Sequence, residues 1–377
     1  MSLVPRGRPS LSRPAFIAIL ASAGLLLVTG SAGVVARNLT PTSVTPTGVA
    51  SSTWGWVVAR HPSTASYTPA LKDRSNSSGG VNKVTRNSLG HYTVKMPGIG
   101  FGGGIVHVTP LGRTPHICVI EEWGGSPAQF ITLSCYTRSG DPADSKFVAN
   151  YLVAAGLSGG SSGRLGYLWA NEEATTDYTP DLNYSYNSSG GTNTIHRGGT
   201  GSYWITMPGL SSVNHGNVQV TAYGSTAVCR VGEWAPAAGA LSAHVICRDI
   251  AGFVVDARFT VTYMKDLALK GYNGTRSYYL WANQKSTTNY QPDPNFVFST
   301  VGAAPPSMHR SANGTYLATL PGMHAGGSVQ VTSFGAGKGR CIVASILLSG
   351  TTQKVGVRCF NVAGNLQDTR FTLAYAR

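Results

Sequence analysis

Two aromatic pairs, Tyr167 with Trp169 and Tyr279 with Trp281, are the residues in this sequence best suited to hold a ligand. Each pair is spaced i, i+2, so on a β-strand both rings point to the same face. An exposed pair of that kind stacks on sugar rings, as carbohydrate-binding modules do. The pairs open identical strings, Tyr-Leu-Trp-Ala-Asn at Tyr167 and again at Tyr279, 112 positions apart. The corresponding place near the start of the chain holds Trp56 and Val58. An aliphatic residue fits a core more easily than a stacking platform. Core packing is therefore the preferred reading, and a polysaccharide or cell-wall platform the second. Trp123 and Trp234 each lie five residues beyond a cysteine, at the position that Ile346 takes after Cys341. They are expected to pack against a disulfide.

The six cysteines fall into three pairs, Cys118 with Cys135, Cys229 with Cys247 and Cys341 with Cys359, separated by 17, 18 and 18 positions. Equal spacing in three copies makes pairing within each copy the simplest solution. Each bridge is worth about 3 kcal/mol on the loop-entropy view. No CxxC motif and no closely spaced histidine pair points to zinc or thiol chemistry. Asp144, Asp256 and Asp368 recur at one position of the copies. They are read as acceptors of turn hydrogen bonds or partners of Lys146, Arg258 and Arg370, not as calcium ligands, which need several oxygens. The nine histidines scatter without a shared position, and neither a Gly-x-Ser-x-Gly elbow nor a His-Glu-x-x-His motif occurs. No catalytic residue, metal ligand or cofactor is assigned, and a secreted hydrolase ranks last among the functional readings.

The elements that must position these residues repeat three times. Tyr67, Tyr178 and Tyr290 each precede a proline by two residues; the turn Asn76-Ser-Ser-Gly-Gly80 returns at Asn187; Val-x-Val-Thr begins at Val106, Val218 and Val329. Only 12% of residues are charged and 47 are glycine, and turn and strand residues alternate along each copy. That pattern predicts an all-β chain of three tandem antiparallel β-sandwich modules, immunoglobulin-like or jelly-roll-like, each with one internal disulfide. The expected boundaries are a signal peptide or uncleaved anchor at 1–36, a Thr/Ser/Pro tether at 37–53, and modules at 54–154, 164–266 and 276–377. Linkers are expected at 155–163 and 267–275, making the modules separate beads. In the second copy strands are expected at 166–171, 183–187, 193–197, 202–207, 216–223, 227–233, 242–248 and 256–264. In the last of these Phe259, Val261 and Tyr263 share one face and Thr260 and Thr262 the other, the pattern of a half-buried strand.

Arg6, Arg8 and Arg13 followed by an apolar run read as a secretory leader. The net charge of +14 drops to +11 without those three arginines, so the exported chain stays basic. Lys and Arg never occur three in a row, which argues against a nucleic-acid surface. The motif string, from Tyr-Leu-Trp-Ala-Asn through Val-Gln-Val-Thr-Ala-Tyr-Gly to Asp-x-Arg-Phe-Thr-Val-Thr-Tyr, is similar to tandem repeats of uncharacterised secreted bacterial proteins. The resemblance spans nearly the whole chain beyond the leader and carries no assigned activity. It implies an exported, repeat-built bacterial protein. The resulting expectation is a non-enzymatic structural or adhesive protein, secreted or at the cell surface. Its possible partners are cell-wall or extracellular polysaccharide and other copies of itself, with membrane contact only through an uncleaved leader.

Overall fold

Short runs of alternating Val, Ile, Thr and Tyr broken by Gly, Pro and Asn favour strands over helices, and strands are what form. The computed structural model describes residues 52–154, 163–210, 215–271, 274–302 and 304–377. The expected leader, most of the tether and most of the first linker lie outside these residues. Module one carries β1 (Thr53–Ala59), β2 (Ser66–Tyr67), β3 (Arg74–Asn76), β4 (Lys83–Ser88), β5 (His91–Met96), β6 (Ile105–Leu111), β7 (Ile117–Gly124), β8 (Gln129–Tyr136) and β9 (Lys146–Val153). Module two carries β10 (Arg164–Ala170), β11 (Asp177–Tyr178), β12 (Ser185–Asn187), β13 (Thr194–Gly199), β14 (Ser202–Pro208), β15 (Asn217–Tyr223), β16 (Val228–Ala237), β17 (Ala240–Arg248) and β18 (Arg258–Lys265). Module three carries β19 (Ser277–Ala282), β20 (Asn289–Tyr290), β21 (Phe298–Ser299), β22 (Ser307–Ala312), β23 (Thr315–Leu320), β24 (Ser328–Phe334), β25 (Arg340–Ser349), β26 (Thr352–Phe360) and β27 (Arg370–Ala376).

Each module is a sandwich of two antiparallel layers. In module one, β3-β1-β9-β6 faces β7-β8-β5-β4-β2, with Val57, Tyr92, Ile120, Leu133, Phe147 and Tyr151 in the core between them. The bridges Cys118–Cys135, Cys229–Cys247 and Cys341–Cys359 each join directly opposed residues of neighbouring strands. They reinforce a hairpin within one layer of each module.

The modules are not separate beads. The four-strand layer of one module continues into the five-strand layer of another, giving three nine-stranded sheets that are each shared between two modules. The joints are single parallel pairings, Tyr223 with Ile120, Val231 with Phe334 and Val343 with Leu111. Each is sealed by one backbone bond, from the N–H of Gly224, Gly335 and Gly112 to the carbonyls of Ile120, Val231 and Val343, at 2.7, 2.8 and 2.8 Å. One joins modules one and two, the next two and three, and the last three and one. Identical head-to-tail contacts that close after three steps make a ring with threefold pseudosymmetry, and the described residues from 52 onward belong to one compact unit.

Around the pseudo-threefold axis the central strands β6, β15 and β24 meet, and the Val-x-Val-Thr motif explains how. The N–H of Val108 bonds the Thr221 hydroxyl, that of Val220 the Thr332 hydroxyl, and that of Val331 the Thr109 hydroxyl, at 3.2, 3.0 and 3.3 Å. Thr260 and Thr262, expected on a solvated face, are fully buried. Thr260 donates to the Val106 carbonyl at 2.7 Å and Thr262 meets His107 Nε2 at 2.7 Å. The half-buried strand is thus buried on both faces, because neighbouring modules cover its polar side.

Residues 267–271 do not behave as a linker. Leu267 and Leu269 are buried with Ile105, Leu152, Leu165 and Tyr279, and the Lys270 ammonium lies 4.2 Å from the Trp54 ring centroid. The sheets end in β2, β3, β11, β12, β20 and β21, each of two or three residues. Short edges of this kind offer little template for pairing with another chain.

Candidate functional site

The Tyr-x-Trp pairs do not form an open platform. Tyr167 and Tyr279 are only 3% and 1% exposed. Their hydroxyls accept from the N–H of Ala154 and Asp266, at 3.3 and 3.2 Å, and so fix the chain where it leaves the preceding module. The indoles two residues on fill the seams between modules. Trp169 packs with Tyr184 and Tyr223 around Trp123 of module one, ring centroids 5.2 to 5.7 Å apart except for the 5.0 Å Trp169–Tyr223 contact. Trp281 packs with Phe296 and Phe334 around Trp234 of module two in the same arrangement. Trp123 and Trp234 therefore serve the seams, and each also belongs to the buried cluster that holds the disulfide of its module.

The recurrent aspartates accept the expected turn hydrogen bonds in each module, but their ion-pair partners are Arg86, Arg197 and Arg310 in place of Lys146, Arg258 and Arg370. Asp256 accepts from Arg197 Nε at 2.9 Å, from the Gly201 N–H at 2.8 Å and from the Tyr203 hydroxyl at 3.1 Å. Arg86, Gly90 and Tyr92 repeat this around Asp144, and Arg310, Gly314 and Tyr316 around Asp368. The Arg197 guanidinium and the two further donors hold the Asp256 carboxyl below the usual carboxylate range. Burial alone would raise Asp144 and Asp368, but the bonds from Arg86 and Arg310 outweigh it and those carboxyls lie low as well. A carboxylate engaged by three donors is structural, neither a base nor an open metal ligand. Among the described residues no group of three or more His, Cys, Asp or Glu is placed to hold a metal ion.

The most site-like surface comes from histidines that looked scattered. Across the outer face of module two, cross-strand pairing aligns Asp177, His196, Trp204, His244 and Glu233 in one row over β11, β13, β14, β17 and β16. Asp177 bonds His196 Nδ1 at 2.8 Å, and Trp204 stacks on His244 at 4.3 Å with ring planes 7° apart. Burial lowers the His244 pKa, with Glu233 pulling weakly the other way. Ser202 meets His244 Nε2 at 2.8 Å, and Ser134 meets His91 Nδ1 at 2.6 Å in module one. Nucleophilic catalysis needs a base oriented by a third group. No carboxylate bonds the remaining nitrogen of either histidine among the described contacts. The complete row is confined to module two: Thr93 and Leu317 replace Trp204 in the other copies, although His309 meets Asn289 at 2.7 Å in module three as His196 meets Asp177. An aromatic confined to one copy was the available signal; the cross-strand register that aligns its neighbours was not visible.

In comparisons with known proteins, no family model matches the chain, and neither a curated protein nor a solved structure is significantly similar to it. Among the described residues no helix is long and apolar enough to cross a membrane.

Proposed function

We propose that this protein is a non-enzymatic, exported structural element of the cell surface or extracellular space, and that its working part is the closed three-module ring. The observation that carries this reading is the use made of the recurrent residues. The threonines of Val-x-Val-Thr bind module to module, and the aspartates clasp turns. Three cross-strand disulfides suit an oxidising compartment, and the basic and apolar start of the chain supports export. A second reading, a polysaccharide or cell-wall binder, draws on the Trp204 row in place of the Tyr-x-Trp pairs. Co-sedimentation with purified cell walls and insoluble glycans at physiological salt separates the two. A structural ring stays in the supernatant. Retention that persists at high salt and is lost in Trp204→Ala would overturn the structural reading in favour of the binder.

A further inference from the structure

The first residue of β25 is a charge where the other copies have an alkyl group. Arg340 takes the place of Ile117 and Val228 in the repeat, one residue before the first cysteine of each pair. Cys341 and Val343 point into the core of module three, so by strand alternation Arg340 turns to the opposite side, toward the pseudo-threefold axis. There it lines a cavity of about 60 Å³ together with Thr109, Thr221, Thr332, Ser333 and His116. The residue is only 6% exposed. Its Nε and Nη2 are buried and donate to no protein acceptor.

A buried guanidinium without a partner is costly, and a buried polar group left unsatisfied calls for a specific explanation. The surroundings sharpen the case. No carboxylate forms an ion pair with Arg340 among the described residues, and the charged group acting on it is another cation, Arg138. Burial and then Arg138 lower the Arg340 pKa to about 10, so it remains a cation at neutral pH. Ser333 supplies a further donor: its Oγ accepts the Cys341 N–H at 2.7 Å, which leaves its own proton free to be given.

We propose that this axial cavity is a binding site for one compact oxyanion, held by the Nε–Nη2 edge of Arg340 and the Ser333 hydroxyl. Two parallel N–H groups on one edge of a guanidinium match two oxygens of a phosphate, sulfate or carboxylate group. The space matches a group of a few heavy atoms. All three modules line the cavity, so the anion would neutralise the buried Arg340 charge where the modules meet, and its binding would stabilise the assembled ring.

The test titrates inorganic phosphate into the purified full chain at fixed ionic strength, with bulky gluconate as the balancing anion, and follows the melting temperature. The expected result is a rise that saturates with phosphate, and at least a tenfold weaker apparent affinity in Arg340→Met. That variant should also melt no lower than the unsubstituted protein without phosphate, because it restores an apolar side chain like those of the sister copies. An unchanged phosphate response in Arg340→Met overturns the site. Should that variant fail to fold, crystals of the unsubstituted protein soaked in selenate decide the matter. An anomalous peak within hydrogen-bond distance of Arg340 and Ser333 upholds the proposal, and no peak there overturns it.

Discussion

Two of the three seams that close the ring are filled by clusters of four paired rings, whereas at the third Trp56 is the ring that module one buries among module-three residues. Modules one and two meet through Trp123, Trp169, Tyr184 and Tyr223, and modules two and three through Trp234, Trp281, Phe296 and Phe334. At the seam between modules three and one the same positions hold Ile346, Val58, Asp73 and Leu111. Val58, Leu111 and Ile346 are buried together, and Asp73 bonds Arg60 Nε at 2.9 Å. The backbone contact is the same in all three, so the sheet-to-sheet joint does not depend on aromatic filling. Edge-to-face ring pairs add about 0.5 to 1.5 kcal/mol each beyond area burial. The third seam, which joins the modules farthest apart in sequence, lacks that increment and is the place where the ring should open first.

The largest effect that tests this comparison is loss of a central indole. Trp123→Ala and Trp234→Ala should each cost about 3 to 5 kcal/mol in denaturant unfolding, and Ile346→Ala about 2 to 4. An Ile346 variant as costly as either Trp variant would erase the distinction between the seams.

His107 sharpens the comparison at the axis, where Gln219 and Gln330 occupy the sister positions. Complete burial lowers its pKa to about 3, against about 6.5 in an unfolded chain. The folded value lies below the unfolded one, so the neutral ring's contribution is full above about pH 6.5 and is lost as pH falls toward 3. His107→Gln keeps a hydrogen-bonding side chain beside Thr221 and Thr262 and removes the titrating imidazole. The variant should match the parent at pH 8 and unfold less readily below pH 6. The parent's extra slope there should be at most about 1.4 kcal/mol per pH unit. Identical pH profiles would mean that His107 does not titrate on unfolding.

Asp73→Asn is the mildest test. It removes an ion pair that is partly open on the Arg60 side, an effect of about 1 kcal/mol or less. Hydrogen exchange should quicken at the Gly112 amide, which crosses the third seam, and remain unchanged at Gly224 and Gly335. Equal acceleration at all three would show that the seams open together.

Within one module the sequence was informative. The expected strand 202–207 is Ser202–Pro208, the strand 242–248 lies inside Ala240–Arg248, and equal cysteine spacing identified the disulfides. Turn residues and period-two alternation are local, so they survive without tertiary knowledge. Closure was not legible, because each joint is one parallel residue pair and leaves no periodic mark in the chain. Thr260 and Thr262 looked like ordinary solvated strand positions for the same reason: the surface that buries them belongs to another module. Two signals were present and carried more than their first reading. Leu267-Ala-Leu269 is too apolar for a free linker, and Arg340 breaks a position that is aliphatic in its sisters.

Small-angle X-ray scattering on the chain from residue 52 onward tests the closed ring most directly. A single compact body of that length has a radius of gyration of about 20 Å, and the ring predicts that value with a compact, single-body scattering profile. A clearly larger radius with the profile of three bodies strung in a line would contradict it.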